Sequence, residues 1–196
     1  MADTTNGSSA QAKDALRASA FAKRDALARD WRRRACESIA ERVLDLPELM
    51  DREPIGAYWP IKSEVDPRPI LEGLVARGQI VALSQIRHPY LSWRQWRPGD
   101  PMIHGGFGVQ EPGPDAPEVF PRALLVPLAA FDRAGTRLGY GKGHFDRSIA
   151  ALSDKHSVLT IGLAYSIQEI DAVPAEDHDQ PLDLIVTETG IVRPEV

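Results

Sequence analysis

Three glycines on alternate positions, Gly139, Gly141 and Gly143, stand with Arg137 before them, Lys142 among them and Asp146 just beyond. Residues of these types at this spacing suit an anion. Without a Cβ, glycine lets the backbone turn sharply and bring its N–H groups against phosphate oxygens. The pattern turns helical after Gly143, and a helix start adds unpaired N–H groups and a partial positive charge. Arg137 and Lys142 add full charges, and Arg grips phosphate through two parallel hydrogen bonds. Asp146 is a hard oxygen ligand of the kind that holds the Mg²⁺ accompanying nucleotide phosphates.

The spacing excludes two common phosphate loops. The glycines do not follow the dinucleotide-binding pattern, and Lys142 is followed by Gly rather than Ser or Thr. Glycine spacing alone leaves a tight structural turn open; the neighbouring Arg, Lys and Asp favour phosphate. Lys13 and Arg17, four residues apart, share one helical face. Glu64 reads either as an acid at a helix start or as an acceptor for paired N–H donors. Tyr58, Trp59, Phe107 and the stretch Tyr90–Trp96 are either core or the wall of a pocket for a flat ring. His178 lies among carboxylates, but no second His or Cys stands at zinc-ligand spacing.

The elements that must position these groups follow from hydrophobic patterning. Ala123–Val126 is an apolar run with the length of a buried strand, and Asp132–Gly135 breaks the chain into a turn. Phe145, Ile149 and Leu152 are spaced for one buried face of a helix. Upstream, Ala10–Leu46 reads as one long helix, Ala-rich and free of Gly and Pro, ended by Pro47. Ile55–Trp59, Gln79–Leu83, Ser157–Leu163 and Leu184–Thr187 read as strands, and Pro69–Arg77 as a helix capped by Gly78. Glu111–Pro121, rich in proline, reads as a surface loop. Strands alternating with helices predict an α/β protein with a largely parallel sheet between helices, and a ligand at the strands' carboxyl ends.

At 196 residues, with 43% hydrophobic and 26% charged residues, the chain reads as one globular domain over residues 10–196 behind a disordered polar tail at 1–9. A net charge of −5 argues against general affinity for nucleic acid or an anionic membrane. The basic run Arg29-Asp30-Trp31-Arg32-Arg33-Arg34 reads as a solvated helix face. A lone cysteine, Cys36, reads as a small buried hydrophobe in a reducing compartment. No apolar run reaches the roughly 20 residues of a membrane helix, so the expected location is the cytoplasm.

The longer run carries a resemblance. Val126-Pro127, Ala130-Phe131-Asp132, Gly135, Arg137-Leu138-Gly139, Gly141, Gly143 and Asp146-Arg147 resemble the signature of the 5-formyltetrahydrofolate cyclo-ligase family. Leu128 stands where the family has Gly, and His144-Phe145 where it has an aromatic pair. Lys13-Asp14-Ala15-Leu16-Arg17, Lys62-Ser63-Glu64-Val65-Asp66 and Phe107-Gly108-Val109-Gln110-Glu111-Pro112 also match, so the resemblance runs from Lys13 to Thr187.

The resemblance implies a three-layer α/β/α sandwich related to sugar-phosphate isomerases and CoA transferases. It implies ATP-dependent conversion of 5-formyltetrahydrofolate to 5,10-methenyltetrahydrofolate, with Arg137 and Lys142 catalytic. ATP as co-substrate would meet Lys13, Arg17, Arg137, Gly139, Tyr140, Gly141, Lys142, Gly143, His144 and Phe145. The folate would meet Trp59, Glu64, Gly141, Lys142, Gly143 and His144. Asp146 and Asp179 would hold Mg²⁺. The expected partners are these small molecules alone, with no nucleic acid and no membrane, and a monomer is expected rather than an oligomer. Another ATP-dependent small-molecule kinase on this fold, or a non-catalytic folate-binding relative, are the other readings.

Overall fold

The computed structural model describes residues 5–176 and 179–194. Four α-helices, α1 (Thr5–Asp25), α2 (Arg29–Leu44), α3 (Arg68–Ala76) and α4 (His144–Ser153), surround the sheet among the described residues. The strands begin with β1 (Ile55–Ala57), β2 (Val81–Arg87), β3 (Tyr90–Gln95), β4 (Met102–His104), β5 (Gln110–Pro112) and β6 (Glu118–Val119). They continue with β7 (Ala123–Pro127), β8 (Ala130–Phe131), β9 (Arg137–Leu138), β10 (Leu159–Leu163), β11 (Leu184–Val186) and β12 (Ile191–Val192). Eight strands form one sheet in the order β12-β11-β10-β7-β1-β2-β3-β6, and β4-β5 and β8-β9 are separate two-stranded pairs. Five strands, β11, β10, β7, β1 and β2, are parallel; β12 pairs antiparallel with β11 at one end, and β3 with β2 and β6 with β3 pair antiparallel at the other.

Period-two patterning divides the core into two layers. Ala123 and Leu125 of β7 face α2 and α3, whose Ile39, Val43, Ile70, Leu71 and Leu74 cover that side. Leu124 and Val126 face the other way, toward Ile149 and Leu152 of α4. Helices on both faces make the expected three-layer α/β sandwich. Gly78 closes α3 with a positive φ, as its place in the sequence predicts.

Three local readings are corrected. The long helix over 10–46 is two helices, broken at Ala26–Ala28 without Gly or Pro, with Ala28 extended at ψ 141°. Packing overrides propensity there: α2 lies on the sheet, where Trp31 meets Tyr165 edge-on, while α1 turns away toward the strand ends. The first helix also begins at Thr5 rather than Ala10. Tyr90–Gln95, read as an aromatic stretch, is a strand paired with β2 on one side and β6 on the other. Its Trp93, like Trp96 just beyond it, is core.

Strand order locates a crevice. From β1 the chain moves through α3 to β2 on one side; from β7 it moves through α4 to β10 on the other. β1 and β7 are neighbours, so their carboxyl ends mark the point where the winding reverses. Ligands of doubly wound sheets bind there.

Candidate active site at the carboxyl ends of the sheet

Three segments leaving the carboxyl ends meet α1. After β1 comes the loop to Glu64. After β7 come the β8–β9 hairpin and the glycine loop, and after β10 the segment from Val173 to Leu182. Ala20 of α1 packs with Ala129, Ala130, Leu138 and Val173, laying the helix across these ends. Lys13, Arg17, Ala20 and Arg24 recur at i, i+4, i+7 and i+11, so one face of α1 carries three cations to the site.

Arg17 donates from Nε to the Gly139 carbonyl at 2.9 Å and pairs with Asp14. Its guanidinium lies under the loop: a Cβ on Gly141, whose φ is +81°, would stand 3.2 Å from Arg17 Cζ. Lys13 is buried, with Nζ 2.9 Å from Asp179 Oδ2 and 3.3 Å from Glu176 Oε1. Arg137, also buried, donates from Nη2 to Asp146 Oδ1 at 2.6 Å and from Nη1 to the Gln180 carbonyl at 2.8 Å. The cations expected to grip phosphate and the carboxylates expected to hold metal are thus each other's counter-ions. Lys142 is exposed at the loop tip, and among the described residues its ammonium makes no ion pair.

Glu64 is buried at 8% exposure. One carboxylate oxygen accepts the Ile61 N–H at 2.8 Å. Burial pushes its proton affinity up, while the Ile61 bond, hydrogen bonding from Tyr140 and the Arg24 charge pull the other way. Tyr140, expected at the nucleotide, accepts from Arg24 Nη2 at 2.9 Å through its hydroxyl, with its ring 4.9 Å from that of Phe21. Burial and the Glu64 charge push the phenol up to about 12. Arg24 escaped the sequence reading, although the spacing of Lys13 and Arg17 continues to it through Ala20.

The remaining expected residues divide. Gly143 caps α4 in the left-handed region, and His144 opens the helix with its ring edge-on to His88. Partial burial and the neighbouring Arg147, His88 and Lys142 push the His144 imidazole below its usual range, favouring the neutral form. Phe145 packs into both core layers and offers the site only its backbone N–H in the first helical turn. Trp59 is half-buried, edge-on to Trp96 and covered by the Arg68 guanidinium at 5.1 Å. Tyr58 is core, its hydroxyl spent on the Val65 carbonyl. Cys36 is buried as expected, and contact with Tyr165 and the Asp66 N–H accompanies a thiol pushed up by burial. His178 lies outside the described residues, as does the side chain of Phe107.

No three His, Cys, Asp or Glu side chains converge on a metal site among the described residues. Gln180, next to Asp179 in sequence, donates its N–H to Asp146 Oδ1 at 3.4 Å, which brings the segments carrying the two carboxylates together. Two carboxylates would be too few for a protein-only cage and would suit Mg²⁺ completed by phosphates and water.

A model of the 5-formyltetrahydrofolate cyclo-ligase family matches residues 9–188. The chain belongs to this family. The family's enzyme from Haemophilus influenzae is 32% identical over 159 residues, covering 76% of this chain and 84% of its own. The Escherichia coli 5-formyltetrahydrofolate cyclo-ligase is 27% identical over 177 residues, 86% and 96% of the two chains. Among solved structures, the Aquifex aeolicus 5,10-methenyltetrahydrofolate synthetase superposes with a TM-score of 0.81 at 31% identity, covering 94% of this chain and 93% of that one. Family membership makes this chain an enzyme, and the superposition bears out the α/β architecture. Among the described residues no helix is long and apolar enough to cross a membrane.

Proposed function

We propose that this enzyme, with Mg²⁺ accompanying the nucleotide, converts 5-formyltetrahydrofolate and ATP into 5,10-methenyltetrahydrofolate, ADP and phosphate. The observation that carries the reading is the meeting of a cation-backed glycine loop and a buried carboxylate, Glu64, at the crevice between β1 and β7. The loop, Lys13, Arg17, Arg137 and Lys142 receive the triphosphate. Glu64 accepts N–H donors of the pterin ring, and Trp59 lines that pocket.

The formyl group on N5 is an amide and a poor electrophile. Its oxygen attacks the γ-phosphorus as the bond to ADP breaks. The N10 lone pair then attacks the activated carbon, the C–O bond breaks to release phosphate, and N10 loses its proton. Positive charge on Arg137 and Lys142 stabilises the phosphoryl group in flight, and positioning supplies the rest. Asp146 and Asp179 would hold the metal, which when bound neutralises phosphate charge. Ligand entry then exchanges the Arg137–Asp146 and Lys13–Asp179 pairs for phosphate and metal partners without exposing a bare buried charge.

The same reading places the protein in the cytoplasm as a monomer meeting only small molecules, in keeping with its buried, unbridged Cys36. The test is the absorbance of the methenyl product with purified protein, ATP and Mg²⁺. Product that requires both supports the reading. ATP consumption without product assigns a kinase, and folate binding without turnover assigns a binding protein.

A further inference from the structure

Strand β2 outlasts its parallel neighbour. β1 ends at Ala57, opposite Leu83, while β2 runs on to Arg87. In a strand, successive residues turn their N–H and C=O groups to opposite edges. The Ile80 carbonyl accepts the Ile55 N–H of β1, and the Val81 carbonyl accepts the Trp96 N–H on the side of β3. Even-numbered residues of β2 therefore address the side of β1. The Ile86 N–H points that way about 10 Å past the end of β1, beyond the strand that would receive it.

Glu111 answers it. Its carboxylate, 3% exposed, accepts the Ile86 N–H on Oε1 at 3.0 Å. Beside it, the buried Gln85 donates from Nε2 to the Pro112 carbonyl at 3.5 Å. Glu111 belongs to the β4–β5 hairpin, which stands apart from the main sheet with three residues in each strand. So short a hairpin has little stability of its own, and its place depends on what it docks against. The Glu111 side chain crosses the hairpin to reach β2: a Cβ on Gly105 would overlap its Cδ, so only glycine fits there. The hairpin's turn, Gly106–Gly108, lies at the same tip, where a Cβ on Gly106 would stand 3.6 Å from Ile86 Cδ1. At the hairpin's base, Met102 of β4 packs on the core layer that also carries Trp59.

We propose that Glu111 is a positioning residue: by capping the free end of β2 it holds the β4–β5 hairpin as the wall of the crevice beside β1, where the folate's ring system lies. The proposal rests on the functional reading above, which puts the pterin at Trp59 and Glu64, after β1, and the triphosphate at the glycine loop, after β7. β2 flanks β1 on the side away from β7, so the hairpin borders the folate's half of the crevice and not the nucleotide's. A turn rich in glycine suits a flat ring, because the backbone itself can come into contact with it. A Cβ on Gly108, at φ +74°, would meet nothing within 4 Å, so that face of the turn is open. This gives a task to the Phe107–Pro112 segment, which carries a family motif but no group used in the chemistry.

The experiment compares two substitutions of equal length. Glu111→Met removes the acceptor, and Glu111→Gln keeps an oxygen for the Ile86 N–H. In ligand-free protein, amide hydrogen exchange at Ile86 should quicken about tenfold in Glu111→Met and stay near wild type in Glu111→Gln. In turnover, Glu111→Met should raise KM for 5-formyltetrahydrofolate about tenfold, the scale of one hydrogen bond to a charged group, with KM for ATP within about twofold. Glu111→Gln should recover most of that loss. Should Glu111→Met fail to fold, Gly105→Ala, which drives a methyl group into the Glu111 side chain, reaches the same bond and should show the same split. A merely structural role would lower Tm and kcat while leaving the two KM values in their wild-type ratio. That result overturns the proposal, as does unchanged exchange at Ile86 or a folate KM raised equally by Met and Gln. If the wild type makes no methenyl product, the functional reading falls and the folate half of the proposal with it, while exchange at Ile86 still judges the docking of the hairpin.

Discussion

Two glycine-bearing turns follow β7 only a few residues apart, and they do opposite things. The Asp132–Thr136 turn is closed on itself. Asp132 Oδ1 accepts the Ala134 and Thr136 N–H groups, each at 3.0 Å, and Oδ2 accepts that of Val173 at 2.8 Å. Gly135, at φ +82°, gives its carbonyl to the Leu182 N–H, and a Cβ there would lie 2.7 Å from the Leu182 oxygen. This turn thereby pins both ends of the segment that carries Asp179. In the Gly139–Gly143 loop, a Cβ on Gly139 would meet nothing within 4 Å, and one on Gly141 would meet only a guanidinium. Both turns are built from glycine, acid and base. Saturation separates them: donors and acceptors answered within the protein make a clamp, and those left facing a crevice with charge behind them make a site.

The comparison breaks most decisively at Arg137. Arg137→Ala should lower kcat/KM by about 10²–10³, or about 2.7–4 kcal/mol, the scale of losing one transition-state charge partner. Lys13→Ala should cost a similar factor, and the double variant far less than the product, because both serve one phosphoryl group. Steady-state kinetics decide this, and near-normal turnover in either variant removes that residue from the site. Next is Asp132→Ala, which strips three backbone N–H groups of their acceptor. About 3 kcal/mol of stability should go, or a fall in Tm of roughly 10 °C for a chain of this size. A melting curve superposed on the wild type would erase the distinction between clamp and site.

The same substitution in the two places sharpens the contrast. Asp146→Asn should raise the Mg²⁺ needed for half-maximal rate about tenfold, and Asp132→Asn should leave it alone while lowering Tm. Equal Mg²⁺ titrations in both would take Asp146 out of the metal assignment. Gly141→Ala should cost about 1 kcal/mol in backbone strain and crowd Arg17, so activity should fall several-fold with a modest drop in Tm. Full activity would mean that the loop tolerates a side chain where ligand is expected. The smallest effect belongs to His144→Tyr, since the imidazole makes a ring contact with His88 and its surroundings favour the neutral form. Its kcat/KM should stay within about threefold of wild type, and a larger loss would give His144 a role in the chemistry.

Much of this was legible before any coordinates. Alternation of apolar residues marked Ala123–Val126 as a two-faced buried strand, and Gly78 marked a helix end, because both signals are local and periodic. Chemistry at the glycine loop was legible for the same reason: residue types and backbone freedom stand together within a few positions. The family signature extended this reading to Lys13, Glu64 and Asp179, which local patterning alone leaves ambiguous. Propensity failed at Ala26–Ala28, where nothing in the local sequence forbids a helix and only docking α2 on the sheet requires the break. Composition left Trp93 and Trp96 open between core and pocket wall, and their burial depends on which elements of the sheet's edge cover them.

The sequence by itself determined the alternation of strands and helices, the phosphate-type loop and the residue types that can act there, because these depend on interactions a few residues long. Only the tertiary structure decided that Arg24 reaches both Ser63 and Tyr140, and that Lys13 and Arg137 are the partners of Asp179 and Asp146. Those contacts join residues far apart in the chain. Which cation answers which carboxylate follows from the path of α1 across the strand ends, a path set by the packing of the whole core.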